Sequence, residues 1–157
     1  MLAVSHPEVF SAFVDLDGQL GPNAGTKKQT IARLFGGDAE AWAAFDPKTL
    51  VQARRHYDDM AAWVGVSDQV PTVHRGAGEG STQSDSLSDW NTYSEDHEKT
   101  ANQLCELLSA HGIECSVVGY PGGHDFPSAA NGFKDALPWL AGRLDTPGVP
   151  RTALPGA

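Results

Sequence analysis

The chain has 157 residues, of which 40% are hydrophobic and 20% charged, and its formal net charge at pH 7 is −9. Such values are typical of one globular domain with a real core. The acidic balance argues against nucleic acid and anionic membranes as partners, because both require clustered Lys and Arg. No stretch reaches the roughly 18 to 20 consecutive apolar residues of a membrane span, and the first residues lack the basic-then-apolar pattern of a signal peptide.

The first third of the chain predicts one strand among short helices. The expected elements are a helix tail over residues 1–10 whose beginning is missing, a buried strand over 11–18, a loop over 19–25, and helices over 27–35 and 39–44. Thr26 and Asp38 are the expected N-caps of the two helices, because their side-chain oxygens can accept hydrogen bonds from the first turn.

A longer helix is predicted to begin at Asp46-Pro47, with Asp as the N-cap and Pro at the first helical position. Its apolar positions recur at intervals of three and four, so one face is expected to pack inward. These positions are Leu50, Val51, His56/Tyr57, Met60, Ala61 and Val64. Gly65 is expected to end the helix.

The remaining sequence alternates strands with helices. The expected elements are a strand over residues 70–76, a Gly-rich turn over 76–80, an exposed polar loop over 81–90, a helix over 94–111, a strand over 113–120, a sharp turn over 121–127, a last helix ending at 144, and a disordered Pro/Gly-rich tail over 145–157. Gly112 is the expected left-handed C-cap of the helix before it, and Pro138 is expected to bend the last helix.

This order of elements predicts an α/β fold with a mainly parallel sheet flanked by helices on both faces. In such sheets ligands bind at the carboxyl ends of the strands. The polar residues expected at those ends are Asp15, Asp17, Glu79 and His124. Chemistry is therefore expected where these side chains meet.

Cys105 and Cys115 do not form a CxxC pair or a His/Cys ligand pattern of the zinc type, so no structural zinc is expected. A disulfide between them would require the end of a helix to run back beside the next strand, with Cα atoms within about 7 Å. Two buried free thiols are the alternative. The residue pattern indicates no cofactor.

His124 is the main catalytic candidate. It follows two glycines directly after a predicted strand, where the imidazole can project into a cleft and transfer protons near neutral pH. Glu79 follows the preceding predicted strand, and its carboxylate could orient the imidazole. Asp85 is the alternative acid, delivered by the polar loop. Asp125 is expected to cap the last helix and not to act in catalysis.

An acid after one strand and a histidine after the next is the order of the α/β-hydrolase triad, in which the serine comes earlier in a Gly-x-Ser-x-Gly turn. No such motif occurs in this sequence. Ser5 precedes His6-Pro7 on a predicted helix and lacks the flanking glycines. The nucleophile of a hydrolase triad is therefore missing from the chain.

Several segments together resemble the esterase family of α/β-hydrolases that includes esterase D and the antigen 85 mycolyltransferases, with an actinobacterial esterase-like branch most similar. The segments are His6-Pro7-Glu8-Val9-Phe10, Phe13-Val14-Asp15-Leu16-Asp17-Gly18, Leu34-Phe35-Gly36-Gly37-Asp38, Phe45-Asp46-Pro47, Pro121-Gly122-Gly123-His124-Asp125-Phe126 and Leu137-Pro138-Trp139-Leu140. The similarity lies in their order and spacing over residues 6–144.

The resemblance implies that residues 1–144 are the C-terminal part of a serine esterase or acyltransferase whose serine lies upstream of Met1. It implies His124 as the catalytic histidine and Glu79 as its acid, although Asp is the commoner acid in esterase D-like members, which keeps Asp85 open. Family members act on small-molecule or lipid esters and are mostly exported, which would suit a Cys105–Cys115 disulfide. As written, without a signal peptide, the chain itself would be cytoplasmic.

Three hypotheses follow. In the first, the chain is an incomplete or inactive copy of an ester hydrolase, so whether it is itself an enzyme stays open. In the second, it is a non-catalytic module that self-associates through an open sheet edge. In the third and least favoured, Asp15 and Asp17 act with His124, for example as metal ligands.

Overall fold

The computed structural model describes residues 2–18, 27–67, 69–79 and 97–157. The helices and strands in these ranges are α1 (Leu2–Ser5), β1 (Ala12–Leu16), α2 (Lys27–Leu34), α3 (Ala39–Ala43), α4 (Pro47–Ala53), β2 (Ala61–Val66), β3 (Val73–Arg75), α5 (His97–Ala110), β4 (Glu114–Gly119) and α6 (Phe126–Arg143). In this part of the chain no helix is long and apolar enough to span a membrane.

The four strands form one sheet in the order β1-β2-β4-β3. Strands β1, β2 and β4 are parallel, and β3 pairs with β4 in the antiparallel direction. Helices flank the sheet, since α5 contacts β2 and β4 and α6 contacts β1 and β2. The prediction of a mixed α/β fold with a mostly parallel sheet is therefore confirmed.

Alternating side chains of the sheet build two apolar layers. On β2, Ala62, Val64 and Val66 belong to the layer that includes α5. Ala61 and Trp63 belong to the other layer, which includes Trp139 of α6. This alternation is the expected consequence of the two-residue period of a strand. The sheet thus carries one core on each face.

The prediction of one long helix from Asp46 to Val64 is wrong. Helix α4 ends at Ala53, and residues 61–66 form β2, the central strand of the parallel part. Every residue of β2 is buried, Gly65 included. A strand covered on both faces has no polar alternation, so its apolar residues happened to continue the helical intervals.

The strand predicted over residues 70–76 is shorter and points the other way. Strand β3 covers Val73–Arg75 and runs antiparallel at the edge of the sheet, with Val73 opposite Val117. An antiparallel edge strand needs no crossover helix, and none is described between β2 and β3. The end of β3 therefore lies at the amino edge of the parallel strands.

Three predicted helix caps are confirmed. Asp38 accepts hydrogen bonds from the first turn of α3, Asp46 from that of α4, and Asp125 from that of α6. Gly112 has a positive φ of 90° directly after the turn that ends α5, as predicted. Thr26 and Asp85 lie outside the described residues.

A disulfide joins Cys105 of α5 to Cys115 of β4, with Cα atoms 5.4 Å apart. Both half-cystines are fully buried in the core layer beneath α5. The sequence left the pair open between a disulfide and two free thiols. The structure has the disulfide because α5 leads through a short turn into β4 and runs back beside it.

The tail over residues 145–157 is packed, whereas the sequence predicts disorder. Leu154 is 3% exposed and belongs to the same apolar layer as Trp139. The Ser116 hydroxyl of β4 donates a hydrogen bond of 2.8 Å to the carbonyl of Pro155. The buried Leu154 side chain and the hydrogen-bonded Pro155 carbonyl anchor this segment. Its Pro and Gly content alone predicted disorder.

Candidate functional site

Asp17 is the fixed centre of the candidate site. It follows β1 directly, has a positive φ of 50°, and donates its backbone N–H to the Gly65 carbonyl at 2.9 Å. Its side chain is 4% exposed. Oδ1 accepts a hydrogen bond of 2.9 Å from the Ser67 N–H, and Oδ2 accepts one of 2.7 Å from the Tyr120 hydroxyl. The ends of β1, β2 and β4 therefore meet at one carboxylate.

Tyr120 is a hydrogen-bond donor held in its neutral form. The residue is buried directly after β4. Burial, and next the hydrogen bond to the Asp17 carboxylate, raise the pKa of its hydroxyl well above the ordinary value. A protonated phenol that donates to a charged acceptor makes a strong hydrogen bond. Tyr120 thus fixes the orientation of the Asp17 carboxylate.

Two histidines lie beside this carboxylate. His124 Nδ1 is 3.8 Å from Asp17 Oδ2, and His97 Nδ1 is 3.9 Å from Asp17 Oδ1. The two imidazole rings pack edge to face with centroids 5.2 Å apart. The His124 side chain is 61% exposed and that of His97 is 32% exposed. Both separations from the carboxylate are longer than a hydrogen bond but allow an ion pair.

The turn between β4 and α6 positions His124. Gly122 has a φ of 133°, and a Cβ there would overlap Ser128. The Gly123 N–H donates to the Ser128 hydroxyl at 3.1 Å, and Asp125 accepts a hydrogen bond of 2.9 Å from the Ser128 N–H. The Gly-Gly-His-Asp sequence is thereby tied to the first turn of α6 on both sides of the imidazole.

A second carboxyl group, that of Asp15, lies on the same face of β1. Burial, and then the negative charge of Asp17, raise its pKa. Asp15 and His97 both line a small cavity under the N-terminal turns of α5. The side chains that the third sequence hypothesis grouped, Asp15, Asp17 and His124, therefore all lie at the carboxyl edge of the parallel strands.

The structure does not bring Glu79 to His124. The Glu79 carboxylate accepts a hydrogen bond of 2.8 Å from the Gly76 N–H within its own turn. The Gly78 N–H donates to the carbonyl of Ser109, near the C-terminal end of α5. Because β3 is antiparallel, this turn is at the opposite edge of the sheet from His124. Asp17 is the described carboxylate beside the imidazole, and Asp85 falls outside the described residues.

The sequence analysis missed His97. Helix α5 leads into the amino end of β4, so its first residue must lie at the carboxyl edge of the sheet, where His97 reaches Asp17. The order of the elements alone would have allowed this position of His97 to be predicted. A histidine at the start of a helix that precedes a parallel strand is a candidate for the same edge as the strand ends.

An apolar groove borders the outer edge of the sheet. It has a volume of about 540 Å³ and is lined by Phe10, which lies between α1 and β1, and by residues of α1, β1, α4 and α5, among them Phe13 and Leu104. Among the described strands, β1 pairs with β2 alone. Self-association along this edge stays a prediction.

The comparisons with known proteins identify no function. No family model matches the chain, and no solved structure matches it. An uncharacterised protein of Corynebacterium glutamicum is 42% identical over 50 residues, which are 32% of this chain and 12% of that protein. The chain thus matches only a short part of this relative's length. The resemblance to the esterase family stays a prediction.

Proposed function

We propose that the chain provides the histidine and the carboxylate of a carboxylic ester hydrolase or acyltransferase. In this proposal His124 is the general base and general acid, and Asp17, in place of Glu79, orients it. The observation that carries the proposal is the position of His124 Nδ1, 3.8 Å from a carboxylate that is 4% exposed. A buried carboxylate beside one imidazole nitrogen stabilises the imidazolium and leaves Nε2 for proton transfer.

The position of the pair in the fold supports the same proposal. Both side chains follow strands of a parallel sheet at the carboxyl edge, which is where α/β folds bind ligands. His124 is 61% exposed, so a substrate and a nucleophile can reach it. Small-molecule and lipid esters are the substrates proposed, since these fit the acyl-transfer chemistry of a histidine–carboxylate pair.

In this proposal the nucleophile comes from outside the 157 residues, since the sequence contains no Gly-x-Ser-x-Gly motif. A serine from a longer form of the protein or from a partner chain would donate its proton to His124 Nε2 and attack the ester carbonyl. The His124 imidazolium would return this proton to the departing alcohol, which leaves the acyl group on the serine. The acyl group would then pass to water or to another alcohol, whose proton His124 takes and gives back to the serine. Without that serine, the chain retains only the base.

The test is hydrolysis of the activated ester p-nitrophenyl acetate by the purified chain in the presence of EDTA. We expect a slow rate above buffer, since a positioned general base can still act on water. General-base catalysis contributes about 10² to 10⁴-fold, so His124→Gln is expected to lower this rate by at least about tenfold. A fluorophosphonate probe is expected to label no serine of the chain.

His56→Gln is the matched control. The His56 side chain is also 61% exposed and also lies near a carboxylate, with Nε2 3.4 Å from Asp58 Oδ1, but that carboxylate is 98% exposed. We expect this variant to keep the wild-type rate. Equal rates in the wild type and in His124→Gln would refute the proposal, and a fluorophosphonate-labelled serine would refute the external nucleophile.

A further inference from the structure

We propose that Asp17, His97 and His124 bind one divalent transition-metal ion of the zinc class. This inference goes beyond the acyl chemistry proposed above and does not depend on it. The nearest ligand atoms are a carboxylate oxygen of Asp17 and the imidazole nitrogens of the two histidines, and all lie within 4.8 Å of one another. They come from three separate segments, which are the residue after β1, the start of α5 and the turn between β4 and α6.

The donor set selects the class of ion. Two imidazole nitrogens with one carboxylate oxygen are the protein ligands of many catalytic zinc sites and of mononuclear iron sites, and they leave at least one position open for water. Calcium and magnesium prefer oxygen ligands and are disfavoured by two imidazoles. The structure therefore assigns Zn²⁺, Co²⁺ or Fe²⁺ to this cluster in preference to Mg²⁺ or Ca²⁺.

The geometry requires only small movements. An ion placed centrally among three atoms no more than 4.8 Å apart lies within about 2.8 Å of each, compared with about 2.0 to 2.2 Å in zinc sites. With Asp17 fixed and the ion about 2.1 Å from its oxygen, each imidazole nitrogen must approach by about 1 Å. The imidazoles can move, since they are 61% and 32% exposed, whereas Asp17 is 4% exposed and stays in place.

The hydrogen bonds of Asp17 hold its carboxylate in a fixed orientation, as the ligands of metal sites are held. Ser67 N–H and Tyr120 O–H donate to its two oxygens, which fixes the plane of the carboxylate. Each carboxylate oxygen has two lone pairs, so one remains for an ion after the hydrogen bond is made. Outer hydrogen bonds of this kind orient metal ligands and are themselves part of metal sites.

The experiment is a titration of the full chain, freed of metal with a chelator, with Zn²⁺ by calorimetry and with Co²⁺ by visible absorption. We expect one ion per chain and cobalt bands of a nitrogen- and oxygen-ligated site. His97→Ala and His124→Ala are each expected to weaken Zn²⁺ binding at least about tenfold. Mg²⁺ is expected to give no binding heat.

His56→Ala is the control, because His56 and Asp58 form an exposed histidine–carboxylate pair elsewhere on the surface. Circular dichroism of each metal-free variant checks folding, and both site histidines are exposed enough for substitution to be tolerated. Absence of 1:1 binding, or equal affinity in the wild type and both site variants, would overturn the proposal. So would a loss in His56→Ala as large as in His97→Ala.

The proposed ester chemistry and the proposed metal site are tested by independent experiments, so either can be refuted without the other. The ester assay is run in EDTA, so its outcome does not depend on a bound ion, and the titration contains no ester.

Discussion

Asp17 shows how one residue after a strand can organise a site. Its positive φ turns the chain out of β1 while its N–H remains bound to β2, and its carboxylate receives donors from the residues after β2 and β4. Short polar residues such as Asp tolerate the left-handed region better than most. A backbone conformation of this kind, held by neighbouring strands, is common at functional sites.

The site residues differ in how far the sequence predicts them. His124 and Asp125 are found because glycines and a helix cap are local signals. Asp17 is found as a strand exit but is grouped with His124 only in the least favoured hypothesis, and the acid paired with His124 is instead Glu79, which lies at the opposite edge of the sheet. Which carboxylate meets His124 depends on the direction of β3, and three residues of edge strand carry no sequence signal for direction.

Tyr57 provides a test of how a buried phenol affects stability. Its hydroxyl donates a hydrogen bond of 3.1 Å to the carbonyl of Val4, which ties α1 to the core. Burial raises its pKa above 10.0. The folded chain therefore keeps the phenol protonated at a pH at which the unfolded chain ionises, so its contribution is complete below about pH 10 and is lost as the pH rises through the folded pKa.

We expect the free energy of unfolding to fall as the pH rises above about 10, and to fall less steeply in Tyr57→Phe. The variant should also lose about 0.5 to 1.5 kcal/mol at pH 8, because its hydrogen bond is absent. Urea denaturation at a series of pH values measures both effects. Parallel pH profiles for the two proteins would contradict the assignment of the alkaline loss to Tyr57.

At the level of elements, β2 holds the site residues in place although it contributes no polar side chain to the site. Gly65 pairs with Leu16 of β1 and Val118 of β4, and its carbonyl accepts the Asp17 N–H. The sequence analysis assigned this segment to the preceding helix because its apolar positions continue the intervals of three and four. Its β-branched content and the preceding Asp58-Asp59 turn were the weaker signals for a strand.

Gly65→Ala is expected to destabilise the chain by about 1 to 3 kcal/mol, as overpacked cores generally do. A Cβ at Gly65 would lie 2.6 Å from a Leu16 methyl carbon and 3.0 Å from the Tyr120 ring. The added methyl would displace the ring that donates to Asp17. Zn²⁺ affinity is therefore expected to fall together with stability.

Urea denaturation measures this cost, and Gly123→Ala is the control. At Gly123 the nearest atom to an added Cβ is an Asp125 oxygen at 3.4 Å, an ordinary contact. We expect this control to change stability by less than about 1 kcal/mol. Equal effects of the two substitutions would mean that β2 does not pack against Leu16 and Tyr120 as described.

At the scale of the molecule, the alternation of strands and helices was enough to predict an α/β fold with a mostly parallel sheet. It was not enough to predict strand order or the position of the tail. Both depend on contacts between distant segments, such as Ser116 with Pro155, which leave no periodic pattern in the sequence. Composition likewise predicted a free tail, because a few apolar residues among prolines and glycines hardly alter the composition of residues 145–157.

Leu154 tests whether the tail belongs to the folded unit. Its side chain is 3% exposed and completes the apolar layer formed by Trp63 and Trp139. Truncation of a buried leucine to alanine costs about 2 to 5 kcal/mol, so Leu154→Ala should markedly lower the urea midpoint. Leu144, 62% exposed at the end of α6, is the control and should cost less than about 0.5 kcal/mol as alanine. If the two variants unfold at the same urea concentration, the tail contributes nothing to the core; if they differ as expected, the sheet is stabilised by a segment that composition alone assigns to disorder.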